Sequence, residues 1–153
     1  MKPLLQVEGV SKRFRGLIAV DNLSFEVPEG SIYALIGPNG AGKTTLFNTI
    51  AGVFKPDSGE IRFSGERIDG LREDEICRRG VGRTFQIVRP FPALTVEENV
   101  IVGALLRRPH VTDARKHARA LLQQLDLGDK CNQRAAALIH ASTASRVEGV
   151  ISN

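Results

Sequence analysis

The sequence has no tryptophan, one tyrosine, one methionine and only two cysteines among its 153 residues. Cys77 and Cys131 stand far apart, without the paired spacing of zinc sites or redox motifs, so a disulfide scaffold is excluded and two reduced thiols are expected. Aromatic residues make up 5% of the chain. None is interleaved with the densest basic run, Arg107, Arg108, Arg115, Lys116 and Arg119, which therefore lacks the stacking platforms of a nucleic-acid surface. No nucleic-acid partner is expected. Uncharged runs are short as well. Lys43 and Lys55 interrupt the most apolar part of the chain, well below the roughly 18 residues of a membrane-spanning helix. After Met1-Lys2-Pro3, only Leu4 and Leu5 precede Gln6, too few for the apolar centre of a signal peptide. The expected location is the cytoplasm. The charge excess is small, 21 Lys and Arg against 17 Asp and Glu, and 42% of the residues are apolar. That is an ordinary globular composition with room for one anion site.

The residues from Leu4 to Phe25 favour short strands, and Leu23, Phe25 and Val27 alternate with Ser24 and Glu26 as in a half-buried strand. A β hairpin or meander is predicted there. After the turn Pro28-Glu29-Gly30, the apolar run Ser31 to Ile36 predicts a central strand buried on both faces. Lys43 to Gly52 then predicts a helix that presents Leu46, Phe47, Ile50 and Ala51 on one face. Ser64-Gly65 is a two-residue connection of the kind that closes a hairpin between 59–63 and 66–68. A charged helix over 72–79 stopped by Gly80, a short strand over 81–86, and a helix begun by the capping-box spacing of Thr95 and Glu98 follow. A further helix is predicted from Asp113 to Leu125, ending near Gly128. Beyond it the alanines of 133–145 favour helix, and Ser142-Thr143-Ala144-Ser145 opposes it.

One motif carries chemistry. Gly37-Pro38-Asn39-Gly40-Ala41-Gly42-Lys43-Thr44 has the spacing of a Walker A loop and lies where a strand is predicted to hand over to a helix. Such a loop needs glycines so that its backbone can curl with amides turned inward, some at positive φ, towards phosphate oxygens at the helix's positive end. Lys43 is then placed to reach the β and γ phosphates of ATP. Thr44 offers its hydroxyl to Mg²⁺, and Thr45 lies near enough for a contact to the α phosphate. A plain glycine turn between strand and helix has no need of Lys and Thr at those two positions.

The longer stretch from Gly37 to Leu46 resembles the ATPase subunits of ABC transporters more than P-loop proteins in general. The resemblance implies an α/β P-loop NTPase fold with an N-terminal antiparallel β region and a partial helical subdomain, incomplete at the C-terminus. On that pattern residues 1–138 correspond to the N-terminal part of a nucleotide-binding domain, 87–128 to part of its helical subdomain, and 139–153 to an unmatched tail. It also implies that Phe14 stacks on adenine, where the alternative is an ordinary core Phe. Pro56-Asp57-Ser58-Gly59-Glu60-Ile61 falls on the family's hairpin after the helix, a stretch with no chemistry of its own. Gln86 falls on the glutamine that orients water and Mg²⁺. The run Gly82 to Gln86, with Phe91 and Thr95 to Asn99, looks like the ATPase subunit of branched-chain amino-acid importers. The partners implied are transmembrane permease subunits and a second ATP-binding subunit, in a homo- or heterodimer on the inner face of the cell membrane.

The same resemblance implies a Leu-Ser-Gly-Gly-Gln type signature, an aliphatic strand running into Asp-Glu, and a catalytic-site His. No such signature occurs in the sequence, none of Asp57, Asp69, Asp74, Asp113, Asp126 and Asp129 ends a buried aliphatic strand, and His140 stands alone among alanines. The expectation is a truncated or frame-shifted form: an ABC-type ATPase by lineage that does not hydrolyse ATP by itself. A non-hydrolysing nucleotide-binding or interaction module is the alternative. An independent P-loop kinase or GTPase fits poorly, since the guanine-reading Asn-Lys-x-Asp pattern is missing.

Overall fold

The computed structural model describes residues 3–85 and 89–137, and the chain divides into two compact units, Met1–Arg83 and Thr84–Asn153. In the first unit β1 (Pro3–Phe14) and β2 (Leu17–Pro28) form a long antiparallel hairpin. β3 (Ser58–Phe63) pairs antiparallel with the other edge of β1, and β4 (Glu66–Arg67) completes a four-stranded sheet of order β2-β1-β3-β4. Val7, paired with both Phe25 and Ile61, and Val10, paired with Leu23, are fully buried although they stand three residues apart, because the register of β1 shifts between them, where Gly9 takes φ 58°, and so returns Val10 to the inner face. Ser64 and Gly65, at φ 51° and 83°, make the tight turn that the hairpin requires.

Helix α1 (Lys43–Ile50) buries Leu46, Thr49 and Ile50. Leu46 and Ile50 join Val7, Val10, Val20, Ile61, Ile68 and Ile76 in one apolar core. Phe47, predicted to share the buried face, is half exposed. Helix α2 (Glu73–Arg79) contributes Ile76 and stops at Gly80, whose φ of 111° caps the helix by letting its amide turn back to Cys77. Asp69 anchors this layer to the sheet, accepting hydrogen bonds from the Ile61 amide at 2.9 Å and from the Arg67 guanidinium at 2.9 Å.

The predicted central strand over 31–36 is not formed, and the short strand predicted from residue 81 is absent over 81–85. A strand exists only where a neighbour supplies ladder partners, and the sheet of the first unit does not extend to either segment. Residues 31–36 instead lie along the core with one face only. Tyr33 stacks on Phe25, with ring centroids 5.4 Å apart, and Leu35 packs against the core. Ile32 and Ile36 are exposed, the latter at 91%.

In the second unit α3 (Val96–Ala104) starts at Thr95 as its spacing predicts. The Thr95 hydroxyl accepts from the Glu98 amide, and the Glu98 carboxylate accepts from the Thr95 amide at 2.7 Å, so two first-turn donors are satisfied. Two more amides, of Val96 and Glu97, donate to the carbonyls of Gln133 and Cys131. Helix α4 (Val111–Gln124) packs on α3 through Ala114 and Ala118, both fully buried against Ile101. Small side chains at i and i+4 let the two helices approach closely.

Candidate functional site

Residues 37–42 carry the chain into α1 without regular structure. Gly40 and Gly42 adopt φ 85° and 80°, a region an L-residue enters at a cost of about 1–2 kcal/mol. At Gly42 there is a second constraint: a Cβ there would lie 1.9 Å from the carbonyl oxygen of Ala19 on β2. The loop is thus pressed against the start of β2, and only hydrogen fits between them.

Into this curl turns the side chain of Lys43, the first residue of α1. Its Nζ donates to the Gly37 carbonyl at 2.5 Å and to the Pro38 carbonyl at 2.6 Å. Pro38 also accepts the Ala41 amide at 3.2 Å, which closes the loop as a turn. Thr44 is exposed on the first turn of the helix, and Thr45 is half-buried. The Thr45 carbonyl accepts from the Thr49 hydroxyl one turn on. Gly37, Pro38, Asn39, Gly40, Ala41, Gly42, Lys43, Thr44 and Thr45 therefore form one continuous loop and helix start. It combines an ammonium group, two glycines that leave the backbone open, and a helix N-terminus that favours anions. That donor set suits the phosphates of a nucleotide. Of the two Mg²⁺ ligands expected, Thr44 offers an exposed hydroxyl and Gln86 lies outside the described residues, as does His140.

Phe14 ends β1, opposite Leu17 of β2 and two residue pairs from the Lys12–Val20 pair that flanks Ala19. The ring is 38% exposed. Its ring and that of Phe54 stand edge to face with centroids 5.0 Å apart, and the Lys12 ammonium lies 5.6 Å from its centroid. The ring is thus part exposed and part packed, outside the apolar core cluster. Asp57, in the stretch assigned no chemistry, holds this strand end in place. It accepts from Lys12 Nζ at 2.9 Å and from the Arg13 amide at 2.6 Å, while its own amide donates to Ser11. Those bonds, the Lys12 ammonium foremost, lower the Asp57 carboxyl below its usual value. Sequence reasoning also missed Asn48, which accepts from the Arg83 guanidinium. Neither contact is signalled by local spacing, because the partners lie 44 and 35 residues apart.

Comparison with known proteins finds relatives over most of the chain. The family model described as ABC transporter matches residues 20–147. The chain is 38% identical to the high-affinity branched-chain amino acid transport ATP-binding protein BraF of Pseudomonas aeruginosa, and 40% identical to LivG of Salmonella typhimurium, which carries the same description. Each match covers 91% of this chain and 60% of the relative. Among solved structures, the ADP conformation of an ATP-binding cassette of an ABC transporter superposes with a TM-score of 0.75 at 29% identity, over 89% of this chain and 59% of that one. The chain thus spans about 60% of the length of the curated relatives it matches.

Proposed function

The chain belongs to the ABC transporter family, matched over residues 20–147, and from that premise we propose that its glycine loop grips the phosphates of ATP within the ATPase subunit of a branched-chain amino-acid importer. The observation that carries the proposal is the Lys43 ammonium, held inside the curl of 37–42 by the Gly37 and Pro38 carbonyls at the start of α1. Lys43 would neutralise the β and γ phosphates, with the amides of the curl beside it. Thr44 would hold Mg²⁺, an ion that draws charge from the phosphate oxygens when bound, and Gln86 would orient the ion or the water. Thr45 would touch the α phosphate. Phe14, kept at the strand end by Asp57, would stack on the base.

Residues 1–138 then form the N-terminal part of a nucleotide-binding domain, with 87–128 in its helical subdomain. The working assembly joins transmembrane permease subunits and a second ATP-binding subunit at the inner face of the membrane. The relatives support this reading, since BraF and LivG are described as ATP-binding proteins of branched-chain amino acid transport.

Calorimetric titration with Mg-ATP tests it. Charge-assisted bonds of about 1.5–3 kcal/mol predict that Lys43→Ala binds about 10- to 100-fold more weakly than wild type. Thr44→Ala should lower affinity only when Mg²⁺ is present. Equal affinity of the wild-type and Lys43→Ala chains, both folded by circular dichroism, would reject the loop as the phosphate site.

A further inference from the structure

Between the end of α3 and α4 lies a hollow of about 500 Å³ whose floor is apolar, built from Val100, Ala104 and Leu121, and whose rim carries Arg107, Arg108 and His117. A smaller hollow adjoins it, sharing Arg108 and His117 and adding Lys116 and Asp113. The basic run of this region separates into two groups by its pairing. Arg119 and Arg115 are spent on the buried Glu97, with Nε atoms at 2.6 and 3.8 Å from its Oε1. Arg107, Arg108 and Lys116 make no ion pair among the described residues, and Asp113 is the one carboxylate lining either hollow. Beside these cations Leu105, Leu106 and Val111 are exposed at the helix corner. Unneutralised cations next to exposed aliphatic side chains form the surface pattern that binds the headgroup and upper acyl region of an anionic bilayer.

We propose that the α3–α4 corner binds the anionic phospholipid surface of a membrane, with Arg107, Arg108 and Lys116 on the lipid phosphates and Leu105, Leu106 and the apolar floor against the acyl chains. An acidic amphipathic segment of a protein partner seated in the hollow would share the charge but leave Leu105, Leu106 and Val111, which do not line it, uncovered.

Flotation of the whole chain with vesicles tests the assignment, comparing phosphatidylcholine alone with phosphatidylcholine mixed with phosphatidylglycerol. Binding is expected only to the mixed vesicles, and salt of about 1 M should abolish it, since the screening length falls to about 3 Å. Arg107→Gln, Arg108→Gln and Lys116→Gln should each weaken binding about fivefold, and together about 100-fold. All three side chains are exposed, so folding is expected to survive, and circular dichroism checks it. The variant Ile32→Ser/Ile36→Ser controls for the other apolar exposure and should float as wild type does. Equal binding to both vesicle types, or unchanged binding by the triple variant, would overturn the proposal. Failure to bind the mixed vesicles would overturn it as well, and binding of an acidic amphipathic peptide in free solution through the same three cations would then assign the surface to a protein partner.

Discussion

Replacing Gly42 by alanine separates two demands that the loop makes on its backbone. The first is positive φ, which Gly40 shares at 85°. At Gly40, however, an added Cβ meets nothing within 4 Å, whereas at Gly42 it lies 1.9 Å from the Ala19 oxygen and 3.1 Å from its carbonyl carbon. Gly40→Ala should therefore destabilise only through the left-handed conformation, by about 1–2 kcal/mol. Gly42→Ala carries the same cost plus overpacking against a backbone that cannot rotate away, which adds about 1–3 kcal/mol. Val20, next to Ala19, is buried in the core, so retreat of β2 from the new methyl disturbs more than the loop. With a urea dependence of about 1–3 kcal/mol per molar, the two variants should differ in unfolding midpoint by about 1 M. Urea titration followed by far-ultraviolet circular dichroism measures the gap. Equal midpoints for Gly40→Ala and Gly42→Ala would refute the argument that β2 limits the loop.

Two further outcomes are expected. Asp57 and Asp69 both have carboxyls held below their usual value, the first by Lys12 and the Arg13 amide, the second because bonds from Arg67 and the Ile61 amide outweigh its burial. A carboxyl lowered in the folded state stabilises the protein above its unfolded value of about 3.9 and loses that contribution as pH falls through the folded one. Urea midpoints should thus decline with acid, and Asp57→Asn/Asp69→Asn should flatten the decline; an unchanged slope would contradict the assignment. The wild-type chain should also release phosphate from ATP no faster than Lys43→Ala does. Hydrolysis needs a positioned base and an acidic Mg²⁺ ligand; Asp57, Asp69 and Asp74 are engaged with Lys12, Arg67 and Arg78, and neither these nor Asp113, Asp126 and Asp129 directly follow a β-strand. A malachite-green assay showing clear turnover above the variant would refute this.

Elements set by local chemistry were legible in the sequence. The Ser64-Gly65 turn, the Gly80 stop and the Thr95/Glu98 box each depend on residues within one turn of the chain, and each stands where its spacing put it. The glycine loop belongs to the same class, because its glycines and Lys43 are contiguous. Residues 31–36 show the limit. Their apolar run has the composition of a strand buried on both faces, but burial depends on neighbours distant in sequence, and only Leu35 is partly covered, while Tyr33 stacks on Phe25 and stays half exposed. Phe47 fails for a related reason: helical spacing says which residues share a face, not how wide a stripe the core will cover. The ties of Asp57 to β1 and of Asn48 to Arg83 join residues that no short-range pattern relates.

The two carbonyl bonds of Lys43 make the loop a competitor for its own cation. Any ligand must win the ammonium from Gly37 and Pro38, so affinity is a difference between two sets of acceptors rather than the strength of one. A neutral molecule or a single dispersed anion offers little more than those two oxygens already do. The concentrated charge of linked phosphates offers more, because direct Coulomb attraction to several negative oxygens adds to the hydrogen bonds that the ammonium makes with either set of acceptors. On the proposed function, the two carbonyls would therefore favour polyphosphates over weaker anions. When the ammonium leaves, Pro38 keeps the Ala41 amide as a donor, whereas Gly37 gives up its bond from Lys43, so capture of a ligand would change the hydrogen bonding at the entrance to the loop.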